Sequence, residues 1–435
     1  MGRRRARIHS IAAVIMVLFG LAGCGHKGTE ELVPFENVSS TDSPKTKLVF
    51  LRVGIEPERK KYWEEAIAAF MMENPDIEIE YQECGYGDDF ETKLNIGFAS
   101  GTAPDVINFT MASMGTRVPL GQYASLNEYV NDWEGKEDFM KNALELGRVR
   151  DNIYGIAVYS DPRILIYNKE LFKQAGLDPE QPPKNWQELL DCHKKLIKKE
   201  GDTVIQTGFG IPTSGRNLQH YFSVFMEENG MKNLVDEDNN EILCNTPEAI
   251  EAAEFLKQIA EEGIIHWDSD HKEQNPFARG QAAMTLGNTL DFHNWNQGAM
   301  EGKLAMAVPL TNREQRTFCG MSFLFMSGET EHEEEAWKFI EFISSSEQMW
   351  KRYEELGIPP LRESLKKQFI ERSPENNEAI YASINYGTGS PKVAYANSVY
   401  NAINDALEKI IYGVEDAKTA LDTAAEVIQQ EIDNQ

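Results

Sequence analysis

Cysteine is scarce in this chain: there are five in 435 residues and no Cys-x-x-Cys pair, so neither a disulfide-stapled scaffold nor a zinc ribbon is encoded. Positive charge is in deficit, with 43 Lys and Arg against 70 Asp and Glu and a formal net charge of −27. Binding to phosphate backbones or anionic bilayers needs clustered positive charge, so a general nucleic-acid role is excluded. Long hydrophobic runs are missing too. The longest, Ile11 to Leu21, falls short of the ~20 apolar residues a transmembrane helix needs. The signatures GxSxG, HExxH, GxxxxGK[ST] and GxGxxG do not occur. What remains is 41% hydrophobic, 10% aromatic and 26% charged, the composition of a folded protein long enough for two or three domains.

The N-terminus departs from the average. Arg3, Arg4, Arg5 and Arg7 precede the apolar run, and Ala22 and Gly23 lead into Cys24; basic, apolar, small is the order of a secretory signal. Leu21-Ala22-Gly23-Cys24 is similar to a bacterial lipobox, in which the cysteine is lipidated and becomes the first residue. Residues 1–23 are then a cleaved signal peptide and Cys24 a membrane anchor, and a two-chain lipid there would hold stably where one acyl chain would not. Their removal deletes four arginines and no acid, taking the net charge from −27 to −31. Residues 24–47 are polar and aperiodic and read as a flexible tether. Cys84, Cys192, Cys244 and Cys319 are read as packing residues; export permits a disulfide among them without requiring one.

Beyond the tether, strand and helix patterns alternate. Leu48 to Gly54 is a near-continuous apolar run of the kind buried on both faces of a parallel sheet. Trp63, Ala66, Ile67, Phe70 and Met71 recur at helical spacing until Asn74-Pro75 stops them. Ile77–Tyr81 alternates as a strand, Phe90–Phe98 reads as a helix and Pro104–Phe109 as a strand. The alternation resumes with Ile164–Tyr167, a helix opened by Asn185-Trp186 that carries Leu189, Leu190, Leu196 and Ile197, a strand Val204–Ile211, a helix Pro247–Ile259 and a strand Leu304–Pro309. The C-terminal third is helical. The predicted fold class is α/β, with open sheets and right-handed crossovers.

Several local patterns invite chemical readings. Gly208-Phe-Gly210 begins like a dinucleotide loop, but Thr213 stands where the third glycine belongs. Asp236–Asn240 suggests a calcium loop, yet Glu241 replaces the turn glycine and Pro247 the bidentate glutamate, so a turn between two short strands is expected. His266, Asp268, Asp270 and His271 lack the i, i+4 spacing of a zinc helix and read as a surface loop. His332-Glu-Glu-Glu335 places acids at a helix start, which complements the macrodipole. No carboxylate pair is singled out for glycoside hydrolysis. No cofactor and no metal is expected.

Several segments together resemble the family 1 extracellular solute-binding proteins, the lipid-anchored or periplasmic receptors of bacterial ABC importers. Gly101-Thr-Ala-Pro-Asp-Val106 matches G-x-x-P-D-[VI]. Tyr154-Gly-Ile-Ala-Val158 and Leu165-Ile-Tyr-Asn-Lys-Glu-Leu-Phe172 match the segment around a first interdomain crossing. Ala175-Gly176, Pro182-Pro183 and Trp186-Gln-Glu-Leu189 follow in order, then Phe277 to Met284, and then Glu335-Ala-Trp-Lys-Phe-Ile340 with Gly357-Ile-Pro-Pro360. Each is weak alone; their order and spacing carry the signal.

The resemblance implies a type II, maltose-binding-protein-like fold. Two lobes, 48–161 plus 309–356 and 166–302 plus 361–435, would be joined by crossings near 162–166, 302–308 and 356–361, with a ligand cleft between them that closes by a hinge. It implies a non-enzymatic, monomeric receptor on the outer face of the cytoplasmic membrane that delivers a carbohydrate, read as an oligosaccharide, to an ABC permease. A secreted carbohydrate-active enzyme and a sugar-sensing lipoprotein without its own permease are the alternatives. Carried over by position, the ligand-binding candidates are Asp161 first, then Tyr159, Glu56, Asn108, Phe109 and Thr110. In the second lobe they are Asn217, His220 and Tyr221 in the loop after Pro212, Asn288, Asp291, and Trp295 or Phe292 in place of an aromatic platform at Leu290. Ser322, Tyr395 and Asn397 complete the set. The plain alternatives are core packing for Tyr159 and Tyr221, packing under a loop for Trp295 and a turn for Asp161.

Overall fold

A computed structural model describes residues 45–434; the expected signal peptide, Cys24 and nearly all of the expected tether lie outside the described residues. The chain runs β1 (Thr46–Val53), α1 (Pro57–Glu73), β2 (Ile77–Cys84), α2 (Asp88–Ser100), β3 (Val106–Thr110), β4 (Gly155–Pro162), β5 (Ile164–Asn168), α3 (Trp186–Leu196), β6 (Thr203–Gly210), α4 (Leu218–Glu228) and α5 (Pro247–Gly263). It continues through β7 (Ala282–Gly287), α6 (Thr289–Trp295), β8 (Leu304–Ala307), β9 (Thr317–Met326), α7 (Glu333–Ile343), α8 (Ser346–Leu356), α9 (Pro374–Asn385), α10 (Ala396–Ile411) and α11 (Ala417–Asp433).

Helix boundaries fall where local chemistry puts them. Pro57 and Pro247 occupy first-turn positions where no N–H is needed. The side chains of Asn185, Thr246 and Ser345 accept from backbone N–H groups of α3, α5 and α8. Gly357 closes α8 at φ 67°, a left-handed value that suits glycine. The expected helix over Leu196-Ile197 ends one residue early, because Ile197 is already extended and enters the short strand Lys198–Glu200 that pairs with β6.

Two sheets result. In the first, β2, β1 and β3 are parallel, with Thr46 opposite Ile77 and Phe50 opposite Val106. β9 is antiparallel to β3 on one edge and to β4 on the other. In the second the order is β8, β5, β7, β6 and the strand 198–200, with β7 and β6 parallel and β5 antiparallel to both its neighbours. The first sheet is therefore mixed where sequence reasoning expected parallel strands. The chain passes from first sheet to second at Arg163 and returns between Ala307 and Thr317.

Each sheet has its own apolar core. Phe50 lies 5.2 Å from Trp63 of α1 and 5.1 Å from Phe339 of α7, so both helices pack on the face of β1 that carries Phe50. In the second core Trp186 stacks 4.5 Å from Phe255. β5 serves both cores: Ile164 and Ile166 join the first, Leu165 and Tyr167 the second, as the two-residue side-chain period requires. The four cysteines among the described residues are free, and Cys244 and Cys319 are buried.

Candidate ligand-binding site

The parallel strands of the first sheet end together, so the residues at their C-terminal ends converge on one rim. β9 lays Ser322 opposite Thr110 of β3 and Tyr159 of β4, which makes a cross-strand row of three. Asp161 lies two residues beyond Tyr159, on the same face, opposite Gly320. Asn108 is buried, and its amide donates to the Phe323 carbonyl at 3.0 Å. Phe109 is turned into the core, 4.4 Å from Phe90. Burial and the neighbouring Asp161 push the Tyr159 phenol well above its ordinary value, and the Arg59 guanidinium sits 5.0 Å over its ring.

Asp161 is held by the residue at which the chain changes sheets. Arg163 Nη1 donates to Asp161 Oδ2 at 3.0 Å, and Arg163 Nη2 lies 3.5 Å from His220 Nδ1. Burial and Arg163 hold the His220 imidazole well below its ordinary pKa. The ring is thus neutral. A guanidinium only donates, so Nδ1 presents a lone pair to Arg163 and the proton resides on Nε2. His220 also packs 4.6 Å from Phe318 of β9. Asp161 Oδ1 is buried and has no hydrogen-bond partner among the described residues.

On the second sheet, Asn217, His220 and Tyr221 lie not in a loop, as sequence reasoning expected, but at the cap and first turn of α4. The reason is burial of α4 on all sides, from Leu218 to Glu228, which erases the one-sided stripe that marks a helix in sequence. The Tyr221 hydroxyl is 2.9 Å from both Thr285 Oγ1 and the Leu286 carbonyl. Asn288 and Asp291 form a capping box on α6, with Asp291 N–H donating to Asn288 Oδ1 at 2.7 Å and Asn288 N–H to Asp291 Oδ2 at 3.1 Å. Burial raises the Asp291 carboxyl despite Arg163 nearby. Trp295 is half-buried, 5.2 Å from Phe277, and packs where a Cβ on Gly287 would come within 2.8 Å of its ring. Leu290 is exposed.

Other candidates are committed elsewhere. The Tyr395 hydroxyl donates to Asn240 at 2.9 Å, and Asn397 is exposed on the first turn of α10. The loop around His266 is internally tied: His266 stacks on Tyr412, Asp268 accepts from Asp270 N–H, and Asp270 pairs with Arg216. Asp236–Asn240 is the expected turn between two short strands, 235–236 and 241–242. A groove of about 990 Å³ between α10 and α11 shares no lining residue with the rim.

A second set of rim residues escaped the sequence reading. Arg52, Arg59, Tyr86 and Arg352 surround a cavity of about 30 Å³ together with Asn108, Tyr159 and Ser322. Glu56, just before α1, faces Arg52 at 3.6 Å and Arg59 at 3.9 Å. The signal was available: Arg52 interrupts the apolar run of β1, and Arg352 falls on the Met349–Leu356 stripe of α8. Arginine is almost never fully buried without a partner.

The profile of the family described as "Bacterial extracellular solute-binding protein" matches residues 55–350. The galactooligosaccharide-binding protein of Bacillus subtilis (strain 168) is 23% identical over 431 residues, 96% of this chain and 95% of that protein. The sn-glycerol-3-phosphate-binding periplasmic protein UgpB of Escherichia coli (strain K12) is 25% identical over 390 residues, 82% and 86% of the two chains. Among solved structures, the cyclic alpha-maltosyl-1,6-maltose binding protein from Arthrobacter globiformis superposes with a TM-score of 0.79 at 20% identity, covering 90% of this chain and 100% of that one. The sugar-binding protein MalE from Xanthomonas citri gives 0.77 at 20% identity, covering 88% and 97%. The fold is the two-lobed one of these binding proteins, with a sheet in each lobe. The chain belongs to the bacterial extracellular solute-binding proteins.

Proposed function

We propose that this protein is the receptor of an ABC importer and binds a carbohydrate, an oligosaccharide in the first instance, between the sheet ends of its two lobes. The observation that carries the reading is Asp161, whose Oδ2 is fixed by Arg163 while its buried Oδ1 is unpartnered. A buried acceptor without a partner is costly, and a sugar hydroxyl donating to a carboxylate makes one of the stronger hydrogen bonds available. Tyr159 beside it offers a ring face to the apolar side of a pyranose, and Ser322 and Thr110 continue the row with hydroxyls. Tyr221, Asn288 and Asp291 would line the opposing wall and act through the shape they hold, since their polar atoms already serve the fold.

The names of the relatives support the ligand class: one binds galactooligosaccharide, another sn-glycerol 3-phosphate, a third a cyclic maltose derivative. The lobes are taken as 48–161 with 309–356 and 166–302 with 361–435, closing on the ligand so that the permease meets the closed form. The chain acts as a monomer tethered through a lipid on Cys24, and it binds without catalysis.

The test is calorimetric titration of mono- and oligosaccharides, with product analysis of each mixture. Micromolar or tighter binding without cleavage is expected. Asp161→Ala should weaken it at least tenfold, about 1.4 kcal/mol, and lower the unliganded melting temperature as well, because it strips the Arg163 guanidinium of its ion-pair partner. Unchanged affinity removes Asp161 from the site, released sugar favours an enzyme, and acyl labelling that survives Cys24→Ser removes the anchor.

A further inference from the structure

Three guanidinium groups meet at the sheet ends of the first lobe. Arg352, on α8, is 3% exposed. Its Nε and Nη1 are buried without a hydrogen-bond partner, and among the described residues no carboxylate lies within 4.0 Å of it. Its guanidinium carbon lies 5.8 Å from the centre of the Tyr62 ring, and burial pulls its pKa below arginine's ordinary value. Arg52, on β1, is 1% exposed; its Nε donates to the Tyr81 hydroxyl at 2.8 Å, but Nη2 is buried without a hydrogen bond. Its carboxylate neighbours Glu56 and Glu83 stand off at 3.6 Å and 3.9 Å. Arg59 completes the group over Tyr159.

Three arginines thus line one cavity that no carboxylate lines, in a chain whose net charge is −27. A buried charge without a counter-charge is strongly unfavourable, and the Tyr62 ring supplies no acceptor for the orphaned Arg352 N–H groups. The cavity is about 30 Å³, about two water-sized volumes, which suits the oxygens of a single oxyanion group. A guanidinium presents a planar fork of donors matched to such a group.

We propose that the cavity between Arg52, Arg59 and Arg352 is an anion subsite, and that the solute this protein binds carries a phosphate or carboxylate group seated there. The inference rests on the proposed function, since it places the subsite on the same rim as Tyr159, Asn108 and Ser322, beside Asp161. It narrows the ligand to an acidic carbohydrate or polyol derivative. Arg352 and Arg52 receive the oxyanion, and Arg59 stands at the mouth.

The experiment is isothermal titration of the full chain, purified in detergent, with matched pairs: sn-glycerol 3-phosphate against glycerol, and an oligogalacturonate against a neutral galactooligosaccharide. The first pair reads phosphate and the second carboxylate. At least one charged member should bind ten-fold or more tighter than its neutral partner, and that advantage should shrink as salt is raised. Arg352→Met should cut the charged-to-neutral ratio at least ten-fold and raise the unliganded melting temperature, because it removes an uncompensated buried charge. Arg59→Gln, at a more exposed position, reads the same ratio should Arg352→Met fail to fold. Tight neutral binding with no gain from charge, or a ratio indifferent to both substitutions, overturns the inference and leaves the proposed function standing. Binding of neither class overturns both.

Discussion

Gly208 shows how a single residue can mimic one chemistry while serving another. With Gly210 it has the spacing of a phosphate-binding turn, but it lies inside β6, where a Cβ would come within 2.2 Å of the His193 carbonyl and 2.4 Å of its Cα. The missing side chain lets α3 approach the sheet. That closeness lets His193, fully buried, receive the Phe209 N–H on Nδ1 at 2.8 Å and donate from Nε2 to the Ile259 carbonyl at 3.0 Å. Burial pushes its pKa down to about 4. Gly208→Ala should therefore destabilise the protein by about 1–3 kcal/mol through overpacking, read as a lowered melting temperature with no new nucleotide-binding property; an unchanged melting temperature would mean the helix can retreat. Such contacts are not legible in one sequence, because glycine marks a close approach without naming what approaches. Asp161 was legible because it adjoins a recognisable segment. Arg163, which orients it, and Arg352 carried only the weaker signal of charge inside apolar surroundings.

At the scale of elements, legibility followed amphipathicity. α3 and α5 carry an apolar face behind a capping side chain, Asn185 or Thr246, and α1 an apolar face ended by Asn74-Pro75; each was expected close to where it lies. α4 has no capping side chain at Asn217 and is buried on nearly every side, and its start was read as a loop. Its C-terminal end holds Glu227 and Glu228, both about 1% exposed, where the helix dipole already disfavours negative charge. Glu228 accepts from Trp186 Nε1 at 2.6 Å. Glu227, beside Thr388 with Arg316 and Glu228 nearby, is raised by burial to about 8. A carboxyl whose folded pKa lies above its unfolded value binds its proton more tightly in the folded state. Its contribution is therefore complete below about pH 4.5 and lost as pH rises towards 8. Glu227→Gln keeps the neutral shape at every pH. It should flatten that part of the stability profile and leave the variant more stable than the parent at pH 8–9, by roughly 2–4 kcal/mol. Denaturant melts at pH 5, 7 and 9 check this; parallel profiles for the two proteins would show that Glu227 does not titrate in that window.

At the scale of the whole molecule, the lobes are bound more closely than two domains on a linker. Separate domains ordinarily melt separately. Here the chain changes sheets at Arg163 and again between Ala307 and Thr317, so the first sheet is built from two separated segments and the second is inserted whole between them. Ile164, Ile166, Leu304 and Met306 belong to strands of the second sheet yet pack into the core of the first. α9 packs on β4 of the first sheet and on β5 and β8 of the second, with Ile380 and Ile384 buried beneath it. Unfolding either sheet alone would strip one apolar face from the other, at ~25 cal/mol for every Å² uncovered. Scanning calorimetry should accordingly show one transition whose calorimetric and van't Hoff enthalpies agree. A solute at 100 times its dissociation constant should add about 2.7 kcal/mol and move that single transition upward intact. Two resolved transitions, or a ligand that shifts only one of them, would mean that the shared core and α9 do not couple the sheets and that each lobe is held by its own packing.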